Sequence, residues 1–207
     1  VHGALAEPLG IALHASRRAG DVAGRSVLVV GCGPIGLLTM IWVQKAGAAC
    51  VIGADPLARR RAAALALGAR AALDPSGEDW QQKMIDATGS AEADVTIDAV
   101  GSAAAFNLAV ASTGPGGTVV AIGGWRPVPL DLDRLMHLEL RVQGSFGFVA
   151  PEFEESCALL EQGGFNPDHV ITDILPLSEG PAVFADLVAG RRPESIKIVL
   201  TPNPDLG

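Results

Sequence analysis

Short apolar runs alternate with longer segments of mixed polarity over most of this chain. The predicted strands, which are rich in β-branched and small apolar residues, are 27–30, 51–54, 71–73, 94–99, 118–122 and 138–143. The predicted helices between them, with apolar residues at helical spacing, are 35–46, 57–67, 79–88 and 103–112. This alternation over residues 26–143 predicts an α/β fold with a doubly wound, six-stranded parallel sheet, the Rossmann arrangement.

The segments on either side of this alternation predict further elements that need a partner for their apolar faces. A helix is predicted over 5–18, before the first strand. After the sixth strand the predictions are a helix over 151–162, a strand over 170–174, a helix over 180–189 and a strand over 196–200. We therefore expect a central domain over 21–144, flanked by the segments 1–20 and 145–207.

The alternating segment 128–132 predicts a further strand, placed at an edge of the sheet. An unpaired edge tends to be covered or to pair with another chain, so this strand predicts a homodimer or a larger homo-oligomer. The alternative is an exposed hairpin protected by Pro127 and Pro129, because proline cannot donate to a further ladder.

The sequence SVLVVGCGPIG, which ends at Gly36, carries the most specific chemistry in the chain. The first strand runs directly into Gly31, Gly33 and Gly36, and an amphipathic apolar helix is expected to follow. In a dinucleotide-binding turn the first glycine allows the tight bend, the second lets the backbone approach a pyrophosphate, and the third lets the helix pack on the sheet. Pro34 and Ile35 then lie in the first helical turn, whose free N–H groups favour phosphate.

Asp55 lies nineteen residues after the last glycine of this turn, at the end of the second predicted strand. An acid at this position accepts hydrogen bonds from the adenosine ribose and disfavours a 2′-phosphate, which predicts NAD rather than NADP. Asp55 followed by Pro56 also has the pattern of a helix N-cap before a first-turn proline, and one carboxylate can do both. Arg59, Arg60 and Arg61 either form a solvated helix face or accommodate the 2′-phosphate of NADP.

Composition and charge narrow the classes of function. The apolar fraction of 49% suits a well-covered α/β core, whereas the net charge of −8 argues against nucleic acid as a partner. The sequence contains neither an apolar run of membrane-spanning length nor a signal-peptide pattern. Cys32, Cys50 and Cys157 are far apart and odd in number, which favours a reduced, cytoplasmic protein over a disulfide or zinc framework.

Together these features resemble the zinc-dependent medium-chain alcohol and polyol dehydrogenases over nearly the whole chain. The turn GCGPIG followed by two leucines is similar to the sorbitol, butanediol and threonine dehydrogenase branch, as are Glu-Pro-Leu from Glu7, DxxxxR at 55–60 and the late IKIVL. The resemblance implies hydride transfer from a small alcohol or polyol to NAD. Residues 1–20 would then be a linker helix from a catalytic domain, and 145–207 would return toward that domain.

The resemblance also assigns individual residues to the cofactor. They are Arg60 near the ribose, Val100 and Gly101 in a turn beside the cofactor, Ile122 and Gly123 at the nicotinamide carboxamide, Ser145 and Phe146 facing the carboxamide from the next strand, and Lys197 at the pyrophosphate. Lysine keeps the charge of the family's arginine but lacks its bidentate fork, so this contact is expected to be weaker. The alternatives are ordinary turns and, for Lys197, a surface charge.

Glu7 is the one expected metal ligand in this chain. In the polyol branch the matching position supplies a glutamate at or beside the catalytic zinc; the alternative is a first-turn acid favoured by the helix dipole. The other family ligands, a cysteine and a histidine–glutamate pair, are expected before Val1, because the chain opens within an amphipathic pattern and resembles a fragment. The four histidines show no metal-ligand spacing. We therefore expect NAD binding without dehydrogenase activity, with zinc only in the full-length enzyme.

Three other functions stay open at this point. A zinc-free quinone or enoyl reductase of the same superfamily would have a different upstream segment and a more NADP-like second strand, and Glu7 and Asp55 count against it. A stand-alone NAD-sensing module would begin near Val1 in the gene. A methyltransferase also combines a glycine turn with an acid after strand two, but it needs neither Lys197 nor the turn at 122–123.

Overall fold

The structure, a computed structural model, describes residues 1–124 and 127–202. Its strands are β1 (Ser26–Val30), β2 (Cys50–Ala54), β3 (Ala71–Leu73), β4 (Ala93–Asp98), β5 (Thr113–Ala121), β6 (Arg141–Gly144), β7 (Ile171–Pro176) and β8 (Lys197–Thr201). Its α-helices are α1 (Ala6–Arg18), α2 (Pro34–Lys45), α3 (Ala58–Ala66), α4 (Trp80–Thr88), α5 (Ala103–Ala111), α6 (Leu132–His137), α7 (Ala150–Glu161) and α8 (Gly180–Val188). Short 3₁₀ turns cover His2–Leu5, Pro167–His169 and Leu177–Glu179.

The first six strands form one parallel sheet in the order β3-β2-β1-β4-β5-β6. The chain winds outward from β1 in one direction as far as β3, then returns and winds in the other direction from β4. The point between β1 and β4 is the topological switch point, where open α/β sheets bind their ligands. The predicted doubly wound, six-stranded fold is confirmed.

Helix α2 is the central element of the core. Every residue from Gly36 to Val43 is buried, so α2 is not the amphipathic helix that was predicted. The reason is that α1 covers the side of α2 that faces away from the sheet, and a helix enclosed on all sides is apolar on all sides. The indole N–H of Trp42 donates to the Leu9 carbonyl at 3.0 Å, which ties α2 to α1.

The segments outside the sheet pack on the same core. Strands β7 and β8 form a separate two-stranded parallel sheet. One hydrophobic cluster contains Leu9 of α1, Val29 of β1, Leu159 of α7 and both Val170 and Ile196 beside the small sheet. The three segments expected from the sequence, 1–20, 21–144 and 145–207, therefore share one buried cluster.

The prediction of an edge strand over 128–132 is wrong. Residues 128–131 lie outside every helix and strand, and α6 begins at Leu132. The Asp131 carboxylate caps this helix by accepting the Arg134 N–H at 3.0 Å, and prolines at 127 and 129 have no N–H for a ladder. Strand β6 also begins later than predicted, at Arg141, because Glu139 has a left-handed φ of +51° that ends the helix.

The surface retains large apolar side chains around the small sheet and α8. Phe184 is 64% exposed and Val188 is 89% exposed. Both side chains belong to the short helix α8, whereas exposed apolar residues elsewhere are more isolated. Within the described part of the chain, no helix combines the length and the apolar character needed to cross a bilayer.

Candidate nucleotide-binding site

The strands of the large sheet end at one level, and this places the predicted binding residues along one edge. The register pairs Val30 of β1 with Ala54 of β2 and with Asp98 of β4. It continues from Asp98 to Ala121 of β5, and from Ala121 to Gly144 of β6. The turns that follow these residues carry most of the cofactor-binding residues predicted from the sequence.

The glycine turn has the shape that the sequence predicts. Gly31 has a φ of +95°, and a Cβ there would lie 2.5 Å from the Val100 side chain. A Cβ on Gly36 would overlap the Gly31 carbonyl oxygen, so the helix can approach the turn only without a side chain. A Cβ on Gly33, by contrast, would meet nothing within 4 Å. Gly33 therefore borders open space at the N-terminus of α2, where Pro34 occupies the first turn and no side chain caps the helix.

Asp55 is fixed beneath this turn. Its side chain is buried, with one carboxylate oxygen accepting the Cys32 N–H of the glycine turn at 2.9 Å. The other oxygen accepts the Leu57 N–H, also at 2.9 Å. The predicted N-cap role is wrong in detail, because α3 begins at Ala58 and the bond to Leu57 closes a local turn before it. Two backbone donors thus hold the carboxylate at the end of β2.

The three arginines after Asp55 occupy different surroundings. Arg61 donates to the backbone carbonyls of Asp55 and Pro56, each at 2.8 Å, and forms an ion pair with Asp74. Arg60 lies 3.8 Å from the Asp55 carboxylate, and its buried Nε has no hydrogen-bond partner among the described residues. Arg59 is exposed. Two of the three guanidinium groups are therefore already directed at the backbone or at a carboxylate.

A cavity of about 580 Å³ opens between the glycine turn and α5. Its lining includes Gly31, Asp55, Val100 and Ser102, together with the Pro75–Ser76 loop that follows β3. The volume and the mostly apolar walls suit a heteroaromatic group such as adenine beside a ribose. The loop after β3 was not predicted as part of the site, because β3 is short and carries no distinctive motif.

A second cavity, of about 260 Å³, lies on the other side of the turn at 100–101. It is lined by Ile11 of α1, Ile35 of α2 and, at the sheet edge, Ile122, Gly123, Ser145 and Phe146. Ser145 is 7% exposed, and its hydroxyl has no hydrogen-bond partner among the described residues. Phe146 is 87% exposed. The structure thus brings the predicted residues of the last two turns to one apolar cavity with one free hydroxyl.

Asp98, at the end of β4, holds the turns that lie between these two cavities. It was not identified from the sequence. One carboxylate oxygen accepts the Val100 N–H at 2.9 Å and the Gly101 N–H at 3.1 Å. Its backbone carbonyl accepts the Ile122 and Gly123 N–H groups at 3.0 and 3.3 Å. The other carboxylate oxygen is buried without a described hydrogen-bond partner. Burial raises the pKa of Asp98, although the two N–H donors oppose this.

The two turns that Asp98 holds are in direct backbone contact. Gly101 has a φ of +80°, and a Cβ there would lie 2.6 Å from the Gly123 carbonyl carbon. A Cβ on Gly123 would in turn lie 2.5 Å from the Gly101 nitrogen. The paired turns form the wall between the two cavities. The sequence signal for Asp98 was available, since an acid ends an apolar strand just as Asp55 does.

Glu7 and Lys197 are not gathered into this arrangement. Glu7 is exposed in the first turn of α1, and its side chain makes no hydrogen bond or ion pair with any described residue. Lys197 begins β8 in the small sheet and lines neither cavity. Over 1–124 and 127–202, no group of three or more His, Cys, Asp or Glu side chains is placed to hold a metal ion.

Cys32, inside the glycine turn, is not a reactive thiol. Its side chain is fully buried, and burial together with the nearby Asp55 charge raises the pKa of the thiol to about 12. A thiolate is the reactive form, so this cysteine is inert at neutral pH. All three cysteines of the chain are free thiols in the structure.

Comparisons with known proteins agree with the geometry. Residues 34–162 match the family model for zinc-binding dehydrogenases. A sorbitol dehydrogenase from Pongo abelii is 30% identical over 206 residues, which covers 98% of this chain and 57% of that protein. The 2R,3R-butanediol dehydrogenase of Bacillus subtilis has a TM-score of 0.83 at 28% identity, covering 97% of this chain and 57% of that chain.

A zinc-binding dehydrogenase from Sinorhizobium meliloti, solved with NADP, is also similar. It is 33% identical with a TM-score of 0.81, and the match covers 89% of this chain and 55% of that chain. The present chain spans a little over half the length of these relatives.

Proposed function

Because the chain belongs to the zinc-binding dehydrogenase family, among the medium-chain alcohol and polyol dehydrogenases, we propose that it is the NAD-binding part of a polyol or secondary-alcohol dehydrogenase. The observation that carries the proposal is the buried Asp55 carboxylate, held by the glycine turn beside the larger cavity. An acid in that place receives the two hydroxyls of an adenosine ribose. The pyrophosphate would rest on the N–H groups around Gly33, where no side chain intervenes.

The surroundings of Asp55 support NAD over NADP. Two backbone N–H groups bond its carboxylate, so it cannot turn aside for a second negative charge without losing both bonds. Arg61 is engaged by two carbonyls and Asp74, and Arg60 lies 3.8 Å from the Asp55 carboxylate, so Arg59 is the one fully exposed guanidinium of the three. The relative solved with NADP makes this choice of cofactor a question to be tested on this chain.

The smaller cavity suits the nicotinamide end of the cofactor. Ile35 and Ile122 would cover the ring, and the unpaired Ser145 hydroxyl would hydrogen-bond its carboxamide. Bound NAD would supply the hydride acceptor with which the longer enzyme could oxidise an alcohol to a carbonyl compound. The chain's own contribution is to orient the ring and to exclude water from one face of it.

The described residues do not make a zinc site. Glu7 stands alone and exposed, whereas catalytic zinc in proteins takes three protein ligands and a water or substrate. We therefore assign no metal-dependent step to this chain. We propose that it binds NAD without oxidising alcohols, and that zinc and the substrate pocket belong to the remainder of a longer protein.

We propose a homo-oligomer that forms through β6 rather than through the segment 128–132 that the sequence indicated. β6 is the last strand of the sheet on its side, and its residues Arg141, Val142 and Gly144 are exposed. An open edge of this kind pairs readily with a second copy. Sedimentation velocity would show a dimer, and a monomer at high concentration would contradict the proposal.

We also propose a cytoplasmic location, supported by the three free thiols.

The test of the proposed function is the preference between NADH and NADPH in the variant Asp55→Asn. The fluorescence of the reduced cofactors reports binding without requiring turnover. We expect the unmodified chain to prefer NADH, and the variant to bind NADH at least about tenfold more weakly, about 1.4 kcal/mol, with a smaller loss for NADPH. The amide keeps the shape of the carboxylate but loses its charge and places a donor against a backbone N–H.

Asp94→Asn provides the matched control. The Asp94 carboxylate also accepts a backbone N–H, that of Ser26 at 2.8 Å, but it lies at the opposite end of the strands. The control removes the same charge and is expected to lower stability without changing the NADH to NADPH ratio. Equal effects of the two substitutions, or a preference for NADPH in the unmodified chain, would contradict the proposal.

A further inference from the structure

Three arginines line a cavity that is separate from the cofactor edge. The cavity has a volume of about 470 Å³, and Arg18, Arg25 and Arg141 contribute to its walls. It shares no lining residue with either of the two cavities described above. The register pairs Thr118, which also lines it, with Arg141, three residues before the ends of β5 and β6. This pair lies about 10 Å back along the strands from the cofactor edge. Arg18 reaches further forward, because its Nε bonds to the carbonyl of Gly144 at that edge.

These three arginines form no ion pairs with carboxylates, unlike many of the other arginines in the molecule. Of the eleven arginines in the described residues, six form ion pairs with carboxylates, namely Arg17, Arg60, Arg61, Arg134, Arg191 and Arg192. The other five form no ion pair within 4 Å in the described part of the chain, and three of those five line this one cavity. The chain carries 23 acidic residues, so carboxylates are not scarce.

The backbone holds two of the guanidinium groups in place without neutralising them. The Nε of Arg18 donates to the Gly144 carbonyl at 3.3 Å, and its two terminal nitrogens bond to no described residue. Arg141 donates through Nη2 to the Gly116 carbonyl at 3.1 Å. Arg25 is half-buried, and its side chain makes no hydrogen bond with any described residue. The forks are thus oriented while their charge stays available, which lowers the entropy lost on binding an anion.

Local explanations account for only part of the cluster. Arg18 lies in the last turn of α1, where a cation is favoured by the helix dipole. Arg25, which precedes β1, lies close enough to Asp94 for its charge to help lower the pKa of that carboxyl, but neither explanation applies to Arg141, which begins β6. Asp21 also lines the cavity, but its carboxylate accepts the Ala23 N–H at 3.0 Å within its own turn. The positive charge of the cavity therefore exceeds its negative charge by two.

We propose that this cavity binds a small phosphate monoester, with the phosphate held by Arg18, Arg25 and Arg141. Planar guanidinium forks match the geometry of phosphate oxygens, and a phosphate dianion balances more of their combined charge than a carboxylate with one negative charge does. The volume exceeds what inorganic phosphate needs and lies within the range of small-molecule sites. The Thr118 hydroxyl and the Gln143 amide offer polar contacts for a hydroxylated remainder. The site is independent of the proposed cofactor function, but it shares Arg141 and Val142 with the β6 edge proposed for pairing, so ester binding and pairing of two copies are expected to compete.

The test is an NMR titration of ¹⁵N-labelled protein with glucose 6-phosphate, with glucose as the uncharged control. We expect saturable shifts of the Gly20, Val142 and Gln143 amides with the ester and none with glucose. The double variant R25Q/R141Q is expected to weaken binding at least about tenfold. Higher ionic strength should weaken it as well, because the contacts are partly exposed.

The variant R59Q/R70Q is the matched control. Arg59 and Arg70 are also arginines without an acidic partner in the described residues, but neither lines this cavity. The control loses the same two charges and should bind the ester within about twofold of the unmodified chain. Equal losses in both double variants would show a general charge effect and overturn the proposal. Shifts confined to the glycine turn at 31–36, or shifts that do not saturate, would overturn it as well.

Discussion

Asp55 and Asp98 lie at the carboxyl ends of two strands of the same sheet, and different hydrogen bonds hold their carboxylates. Both are buried aspartates that close an apolar strand and accept backbone N–H groups. Asp55 has both oxygens bonded and the Arg60 guanidinium 3.8 Å away. Asp98 has one oxygen bonded twice and the other buried without a described partner. One pattern in the sequence therefore gives two environments.

The two aspartates therefore have different roles. Asp55 is placed to contact the cofactor, whereas Asp98 supports the backbone turns beside it. The Asp55 carboxylate lines the larger cavity with a cation nearby, so it is suited to receive ribose hydroxyls as a charged acceptor. Asp98 lines neither cavity and instead holds the two turns that separate them. Substitutions at Asp98 should therefore affect both ends of a bound dinucleotide through the backbone, whereas substitutions at Asp55 should affect only the adenosine end.

The largest effect is expected where the glycine turn itself is disrupted. In Gly36→Ala the new methyl group overlaps the Gly31 carbonyl oxygen, so the turn or α2 must move. We expect a loss of about 3 kcal/mol or more in the free energy of unfolding, or about 6 to 12 °C in Tm, measured by thermal denaturation.

Gly33→Ala is the matched variant for this prediction. Its methyl group meets nothing within 4 Å in the structure, so the fold should tolerate it. It should nevertheless bind NADH at least about tenfold more weakly, because the methyl group occupies the space proposed for the pyrophosphate. Unchanged NADH affinity in a stable Gly33→Ala protein would contradict the placement of the phosphates on this turn.

A smaller effect is expected from Asp98→Leu. The substitution leaves the Val100 and Gly101 N–H groups without an acceptor, which should cost about 1 to 3 kcal/mol of stability. NADH affinity should fall as the wall between the cavities loosens. Asp98→Asn keeps a carbonyl oxygen for both N–H groups and should restore most of the affinity.

Thr96→Val serves as a control for simple loss of stability in β4. The buried Thr96 hydroxyl bonds to the Ala109 carbonyl and to Thr113, away from both cavities. This variant should lose stability while keeping its NADH affinity. If it lost affinity as Asp98→Leu does, the support role of Asp98 would be wrong.

The smallest effect is expected in the pH dependence of stability that Asp98 contributes. Burial raises the pKa of Asp98, so the folded protein keeps this proton to a higher pH than the unfolded chain does. The stability that the proton contributes is present below the ordinary aspartate pKa of about 3.9 and is lost as pH rises through the folded value. Asp98→Asn should therefore gain stability relative to the unmodified chain between about pH 4 and about pH 7, because the amide does not titrate. Urea denaturation at both pH values measures the two free energies of unfolding, and a constant difference between the proteins would contradict this prediction.

The sequence predicted the sheet and the glycine turn because both depend on local pattern. The strand, the three glycines and Asp55 lie within thirty residues, and the apolar runs on either side fix the parallel order. Asp98 was missed because its partners lie on two turns, one of them more than twenty residues away at Ile122 and Gly123. Only the alignment of the strand ends brings these groups together.

At the segment 128–132 the local pattern was misleading, because its alternation predicted a strand that the structure does not contain. Alternation predicts a strand only where a neighbouring strand supplies hydrogen bonds. Here two prolines lack the N–H groups for a ladder, and the cap at Asp131 starts a helix at Leu132, so residues 128–131 form neither a strand nor a helix. Lys197 and Glu7 were assigned from resemblance, and nothing in the described residues gathers them to a site. The partner expected for Lys197 is the cofactor pyrophosphate, and those expected for Glu7 are metal ligands outside this chain, so contacts within the chain cannot establish either role.

Isothermal titration calorimetry of the unmodified chain with NAD and with NADP tests the central assignment most directly. In that assignment the turn after β1 binds the pyrophosphate and Asp55 selects NAD. We expect saturable binding of one NAD per chain, with NADP bound at least about tenfold more weakly, a difference of about 1.4 kcal/mol. The absence of saturable heat with NAD, or equal or tighter binding of NADP, would contradict this assignment.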